Sequence, residues 1–307
     1  MSDEEESFFG TKSDTLAEEI DDLKKKETSQ LELVWKRFKR NKLALLGAGI
    51  ILSLIFVAIF APFIAPYDPL QTHPDRIRED PSREHLLGTD QVGRDTLSRL
   101  IFGTRIALFI GLLIVAVSGS IGVTLGLIAG TYGGWVDEII MRTVDTFLSF
   151  PVLIFALAIS VALGTGLYPV IIATGLIIWT EFARVTRGEV LSIKKETYIE
   201  SAMAIGEKKG NIILRYFLPN ILPSIVVVAT IQMPAALLYS ATLNFLGIGA
   251  QPPVPSWGQM VRRGSEFMQF YPYLALFASL AIVITVLGFN FIGDGLRDAL
   301  DPVRGGS

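Results

Sequence analysis

The 307-residue chain contains no cysteine, which excludes disulfides, thiolate nucleophiles and cysteine metal sites. Its two histidines, His73 and His85, are too few for a histidine-rich site. Charge is scarce as well: 19% of residues are Asp, Glu, Lys or Arg, and a net charge of −3 gives no overall basic field for nucleic acid. No G-x-x-x-x-G-K-[ST] phosphate loop occurs, so the chain is not expected to hydrolyse ATP. No serine sits in a G-x-S-x-G elbow, and no H-E-x-x-H pair holds zinc. What is abundant is apolar: half the residues are hydrophobic and the mean hydropathy is +0.48, values that place the chain in lipid rather than water.

Residues 1–30 are acidic, then mixed, and lack the apolar core of a cleaved signal peptide, so they read as a solvated tail. The run "VWKRFKRNK" then sets Lys36, Arg37, Lys39, Arg40 and Lys42 directly before the first apolar tract, as a flank beside anionic lipid requires. Apolar tracts follow at about 43–65, 106–130, 144–163, 168–187, 221–247 and 272–293, each long enough to span hydrocarbon as a helix. The fourth is the weakest, because its uncharged part runs only from Leu167 to Thr180, a length that also suits a buried or re-entrant helix. With the amino terminus inside, 19 basic residues fall on the inner side and 8 on the outer. That bias places both termini in the cytoplasm, although the outer loop 66–105 carries six basic residues against seven acidic ones.

The longest polar interruption lies before the fifth tract, "ESAMAIGEKKGNIILRYFLP" at 200–219. On a helix, Ile199, Ala202, Met203 and Gly206 form an apolar stripe, with Glu196, Glu200 and Glu207 elsewhere on the wheel. Ser201, Ala202, Ala204 and Gly206 keep this helix slim, so another protein has room to approach its backbone. A second stripe, Ile212, Ile213, Tyr216 and Phe217, leads to Pro219 and Pro223, which punctuate the start of the fifth span. An ordinary surface hairpin on the inner ends of the spans would show the same amphipathic pattern.

The order Glu200-Ser201-Ala202, then Gly206, Ile213 and Leu218-Pro219, resembles the "EAA" signature of ATP-binding cassette importer permeases. "LLGTDQVGRDTLSRLIFGTRIAL" (86–108), "ATLNFLGIGAQPPVPSWGQMV" (241–261) and "GDGLRDALDP" (293–302) are similar to the C-type membrane subunit of dipeptide, oligopeptide and nickel importers, from about Trp35 to Pro302. The resemblance implies an all-α integral membrane protein with six transmembrane helices and the type I importer fold. It implies a cytoplasmic loop at about 188–220 whose short helix enters a cleft on an ATPase subunit. Glu200, Ser201, Ala202, Gly206, Ile213, Leu218 and Pro219 would carry that contact, with Ser201 standing where the motif has its first alanine. The expected division is a cytoplasmic tail at 1–42, the permease domain at 43–302 and a short tail at 303–307.

Other stretches carry weaker expectations. Asp95 and Arg99 are spaced for a helical ion pair, with Thr89 or Asp90 as the cap of a solvated approach to the second span. Gly122, Gly126 and Gly130 stand at GxxxG spacing and predict close helix packing. Pro151 and Pro234 would each bend a span. Pro252, Pro253, Pro255 and Trp257 fall outside the membrane, where Trp257 suits the lipid interface; Gly247, Pro252, Pro253 and Trp257 either cap the bundle or neighbour the external mouth. Asp145, Glu181, Arg184, Arg187, Asp294 and Arg297 lie near inner span ends and favour snorkelling or helix-end pairing.

The sequence therefore reads as a multi-pass cell-membrane permease subunit of an ATP-driven importer for di- or oligopeptides or a related solute. By resemblance its partners are a homologous second permease, two ATPase subunits and an extracytoplasmic substrate-binding protein. No cofactor is expected in this chain; ATP and Mg would be bound by the partner ATPases. The competing readings are an ion-gradient-driven transporter or channel, in which charge would sit deep in the spans, and a membrane scaffold that moves nothing.

Overall fold

The structure is a computed structural model that describes residue 32 and residues 34–300. The expected acidic tail at 1–30 and the short tail at 303–307 lie outside the described residues. Residues 34–40 are helical, and Phe38 packs on Ala44 and Ala299. Helix α1 (Lys42–Ile64) then starts at Asn41, whose side-chain oxygen accepts from Leu43 N and Ala44 N at 3.1 Å each, satisfying two otherwise orphaned donors.

Among the described residues, five helices are long and apolar enough to cross a membrane: α1, α2 (Thr96–Tyr132), α5 (Leu167–Ile193), α7 (Lys209–Phe245) and α9 (Tyr273–Leu300). A sixth crossing exists if α3 (Gly134–Leu148) and α4 (Val152–Leu163) count together. Here the expected single span at 144–163 needs correction. The two helices meet at 95°, broken at Ser149, Phe150 and Pro151, because Pro151 has no N–H and disfavours a helical residue before it. Alone, α4 is about 18 Å long, too short for a hydrocarbon core of about 30 Å.

The weakest tract in the sequence proves to be the most enclosed helix. Two thirds of the spanning window of α5 is buried, against a third or less for the other four. Its polar groups are tolerated because the bundle, not lipid, surrounds them. Ser118 Oγ donates to Gly175 O at 3.2 Å, and Thr180 Oγ1 donates within its own helix to Ile177 O at 2.9 Å. The close partner of α5 is α2, and the glycine spacing explains it: a Cβ on Gly122, Gly126 or Gly130 would lie 2.3–2.7 Å from Trp179 O, Ala183 O or Val190 Cβ. Without a hydrophobic drive between helices in lipid, such backbone approach and the dispersion it allows hold the seam together. Side chains on the outside, such as Leu52, Phe63, Leu112 and Val161, are exposed and suited to acyl chains.

Two ends of the bundle are distinguishable along α2. At its start, Trp257 of α8 (Trp257–Ser265) lies against Gly103, and the lobe 65–95 folds over it: Tyr67 N donates to Ser98 Oγ at 3.1 Å. Near its finish, Leu127 joins a cluster with Val190, Ile199 and Ile212. Gly103 to Leu127 is about 36 Å of helix, against about 30 Å of hydrocarbon, so these two clusters occupy opposite faces. Tyr273, at the start of α9, donates its hydroxyl to Glu79 O in the lobe at 3.2 Å, while Gly295 near the finish approaches Ala44. Residues 34–44 and 295–300 accordingly share the face that holds Ile199.

The lobe 65–95 corrects the expectation of a solvated approach. Asp95, not Thr89 or Asp90, caps α2, accepting from Ser98 N at 2.7 Å. Its other oxygen meets buried His85 Nδ1 at 2.9 Å, so the expected Asp95–Arg99 pair does not form. Arg99 turns instead to Asp90 at 3.5 Å and donates to Pro69 O at 3.0 Å. A helix-surface spacing rule presumes two exposed side chains, and both of these are buried by the lobe.

Candidate functional site

Helix α6 (Thr197–Ala204) sits between α5 and α7. Lys194, just past α5, reaches Thr131 O at 3.1 Å, placing a cation on the negative end of α2. Helix α6 closes in a Schellman motif: Gly206 N donates to Met203 O and Glu207 N to Ala202 O, both at 3.1 Å, with Gly206 at φ +85°. That left-handed residue is why glycine is needed here, since a Cβ on Gly206 would meet only open space.

The expected stripe Ile199, Ala202, Met203, Gly206 is divided by the structure. Ile199 and Ala202 face inward, Ile199 fully buried against Leu127, Val190, Ile212, Phe217 and Ile221. Met203 and Gly206 face outward with Glu200, Ser201 and Ile205, the last 82% exposed. Burial, then Glu196, push the Tyr198 hydroxyl above its usual pKa, and its ring lies 6.5 Å from that of Tyr216. Ser201 Oγ donates back to Thr197 O at 2.8 Å, so this departure from the alanine of the motif leaves no unsatisfied hydroxyl on the outer face.

Beyond α6 the chain returns without an interruption before the fifth span. Helix α7 runs from Lys209 through Pro219, Pro223 and Pro234 to Phe245, so these prolines do not separate loop from span. Around Pro219 the helix adjusts locally. Ile213–Phe217 takes the wider π-helical turn, with Leu218 N donating to Ile213 O, and the Asn220 side chain donates to Tyr216 O at 2.6 Å. Ile213 and Leu218 are half-buried against the Phe217 cluster and Pro219 is exposed. All seven residues expected in the loop therefore lie at one end of the bundle.

The second expected group lies at the other end. Gly247 (φ +85°) stands against the Arg262 guanidinium, and Pro252 and Pro253 are exposed. Trp257 is not at a lipid interface: it is 4% exposed, fills the space above Gly103, and its Nε1 donates to Leu100 O at 3.0 Å. The flat indole needs a glycine beneath it, and buried Trp needs an acceptor; the sequence supplied both, 154 positions away in the chain from Gly103. Beside it a small cavity of about 20 Å³ lies between α2, α7 and α9, lined by Ile106, Leu237, Ser240, Asn244 and Thr285.

Of the six charges expected near span ends, Asp145, Arg184 and Arg187 form such pairs, with partners the sequence reading did not name. Arg184 meets Asp145 at 2.7 Å, and Arg187 makes a forked pair with Asp137, one arm at 2.6 Å. Both pairs tie α5 to the bent α3, information that only the tertiary fold contains.

Apolar helices of spanning length, packed through glycine seams, define a polytopic membrane protein. The chain belongs to the binding-protein-dependent transport system inner membrane components, a family that matches residues 122–304, and residues 29–81 match the N-terminal TM domain of oligopeptide transport permease C. It is 44% identical over 269 residues to a glutathione transport system permease protein of Pectobacterium atrosepticum, covering 87% of this chain and 89% of that one. It is also 44% identical to a dipeptide transport system permease protein of Alkalihalophilus pseudofirmus, covering 87% and 88%. A solved inward-facing methionine ABC transporter, MetNI, shares the fold with a TM-score of 0.50 at 23% identity, over 67% of this chain and 98% of that one. The chain is thus a membrane-spanning permease subunit of an ATP-driven importer, not itself an enzyme, and the channel, gradient-driven and scaffold readings give way to it. Membership implies work with a second permease, ATPases and a binding protein, and no cofactor in this chain.

Proposed function

We propose that α6 is the element through which partner ATPases, binding ATP and Mg, drive this permease, and that the solute is a di- or oligopeptide or a related small molecule. The observation that carries the reading is the two-sidedness of α6. Its outer face presents Glu200, Ser201, Met203 and Ile205, while Ala202 is buried and Ile199 packs against α2, α5 and α7 at once. A push on the outer face thereby loads three spans through close-packed side chains, which transmit displacement rather than absorb it. Ile213, Leu218 and Pro219 lie where α7 receives that load, and the Gly247, Pro252, Pro253 and Trp257 group borders the opposite mouth. The side of the bundle holding α6 is the cytoplasmic one on this reading, in keeping with the basic residues of 34–42 and 194–215 on that face. The peptide assignment is supported by relatives named for glutathione and dipeptide transport.

The experiment is uptake by the reconstituted complex with its second permease, ATPases and binding protein. Labelled dialanine should accumulate only with ATP and all components, and unlabelled dipeptides should compete. Accumulation driven by an ion gradient without the ATPases would contradict the proposal.

A further inference from the structure

We infer that Arg94, Arg99 and Arg263 form a binding site for one small oxyanion of the carboxylate or phosphate class. The three arginines come together from the lobe, the first turn of α2 and helix α8, around a small cavity of about 20 Å³ also lined by Asp90, Thr96 and Gln259. Arg94 is 4% and Arg99 3% exposed, so water screens neither. One carboxylate, Asp90, stands among them. Its Oδ2 accepts from Arg94 Nε at 2.8 Å and lies 3.5 Å from Arg99 Nε; its Oδ1 is taken by Val92 N and Arg94 N at 3.0 Å each. Glu266 adds a weaker attraction, felt by Arg263.

Three positive charges therefore face one buried negative charge, and the donor count shows the same imbalance. Arg94 Nη2 is 2.7 Å from Asp90 Oδ2 but too poorly aligned to hydrogen-bond, so it is attracted without being satisfied. Thr96 Oγ1, 1% exposed, also has no hydrogen-bond partner among the described residues. Burial, then Arg94, push the Arg263 guanidinium below its usual pKa against the opposing pull of Asp90 and Glu266. Buried cation excess is costly unless an anion balances it, and planar guanidinium forks match carboxylate and phosphate oxygens. Arg263 is only half-buried and leaves a way in from the face that holds Trp257. Two sources offer this chemistry there: a free anion from the medium, or the carboxylate end of a solute.

The test is thermal unfolding of the assembled permease–ATPase complex in nanodiscs, titrated with sodium acetate and sodium phosphate against sodium chloride at equal ionic strength. A saturable rise of the midpoint by a few degrees with an oxyanion beyond chloride is expected. R263Q should lose it, and R142Q, on exposed α3, should keep it. R263K, which keeps charge without the fork, should need a several-fold higher anion concentration. Dialanine is then compared with dialanine amide: a shift confined to the free acid assigns the site to a solute carboxylate, whereas shifts with acetate or phosphate assign it to a free anion. Equal midpoints in all salts with no dialanine effect, or an undiminished shift in both Arg263 variants, would overturn the inference. This readout does not depend on ATPase coupling or on uptake.

Discussion

Replacing Gly126 by alanine should destabilise the subunit, whereas the same change at Gly119, two turns earlier on α2, should not. At Gly126 the new Cβ would sit 2.6 Å from Ala183 O and 2.7 Å from Thr186 Cβ. A carbon and an oxygen need about 3.4 Å, so α2 and α5 must part by roughly 0.8 Å along the most extensive helix contact in the protein. Neither obstacle is able to swing away, because one is backbone and the other is fixed to it. Overpacking of this kind costs about 1–3 kcal/mol, which corresponds to a midpoint lower by roughly 2–5 °C for a chain of this size. At Gly119 the nearest atoms are ring carbons of Phe182 at 3.6–3.8 Å, an ordinary contact. There the alanine gains about 0.5–1 kcal/mol of helix propensity and should be neutral or stabilising. The assay is thermal unfolding of the two variants side by side in nanodiscs. A G126A midpoint equal to or above that of G119A would refute the close seam between α2 and α5.

Around α6 the outward and inward faces should separate by phenotype: I199A, emptying a fully buried site, should cost about 2–4 kcal/mol of stability, while I205A should leave the midpoint unchanged yet weaken ATPase retention on purification. G206V forces a β-branched residue into φ +85° and should unravel the end of α6, so that ATP hydrolysis continues while uptake falls; G206N, which tolerates that conformation, should retain most uptake. W257F keeps the ring over Gly103 but loses the donor to Leu100 O, so its midpoint should fall by an amount equivalent to about 0.5–1.5 kcal/mol, and W257A should fall further, by about 3–5 kcal/mol.

The spans that face lipid were legible because hydrocarbon demands long apolar runs, and α1 and α9 match theirs closely. Helix α5 was marginal for the opposite reason: a helix enclosed by others is free to carry threonines and charges, so hydropathy understates it. Pro151 was legible only as a residue that bends a span; a 95° corner depends on where α3 and α5 meet through Asp137–Arg187 and Asp145–Arg184. The glycine spacing in α2 was readable, but its partner was not. Around the candidate site, the periodicity of Ile212, Ile213, Tyr216 and Phe217 located the inner face, whereas Met203 shares a stripe with Ile199 on the helical wheel and still lies outside, because the body of the bundle covers only part of that stripe. The stretch around Asp95 and Arg99 was read as solvated because its spacing suits an exposed helical ion pair; that Asp90, Arg94, Asp95 and Arg99 are buried follows from the packing of the lobe and α8 over them, which no local pattern announces.

The absence of cysteine makes the central claim directly measurable, since a single introduced thiol has no competitor in this subunit. With cysteine at position 205 and a second thiol in the surface cleft of the partner ATPase, the account predicts a disulfide-linked permease–ATPase species in native membranes whose yield changes with ATP, while cysteine at exposed position 253 yields none. Linkage from position 253 but not 205, or from neither, would contradict the assignment of α6 as the ATPase contact.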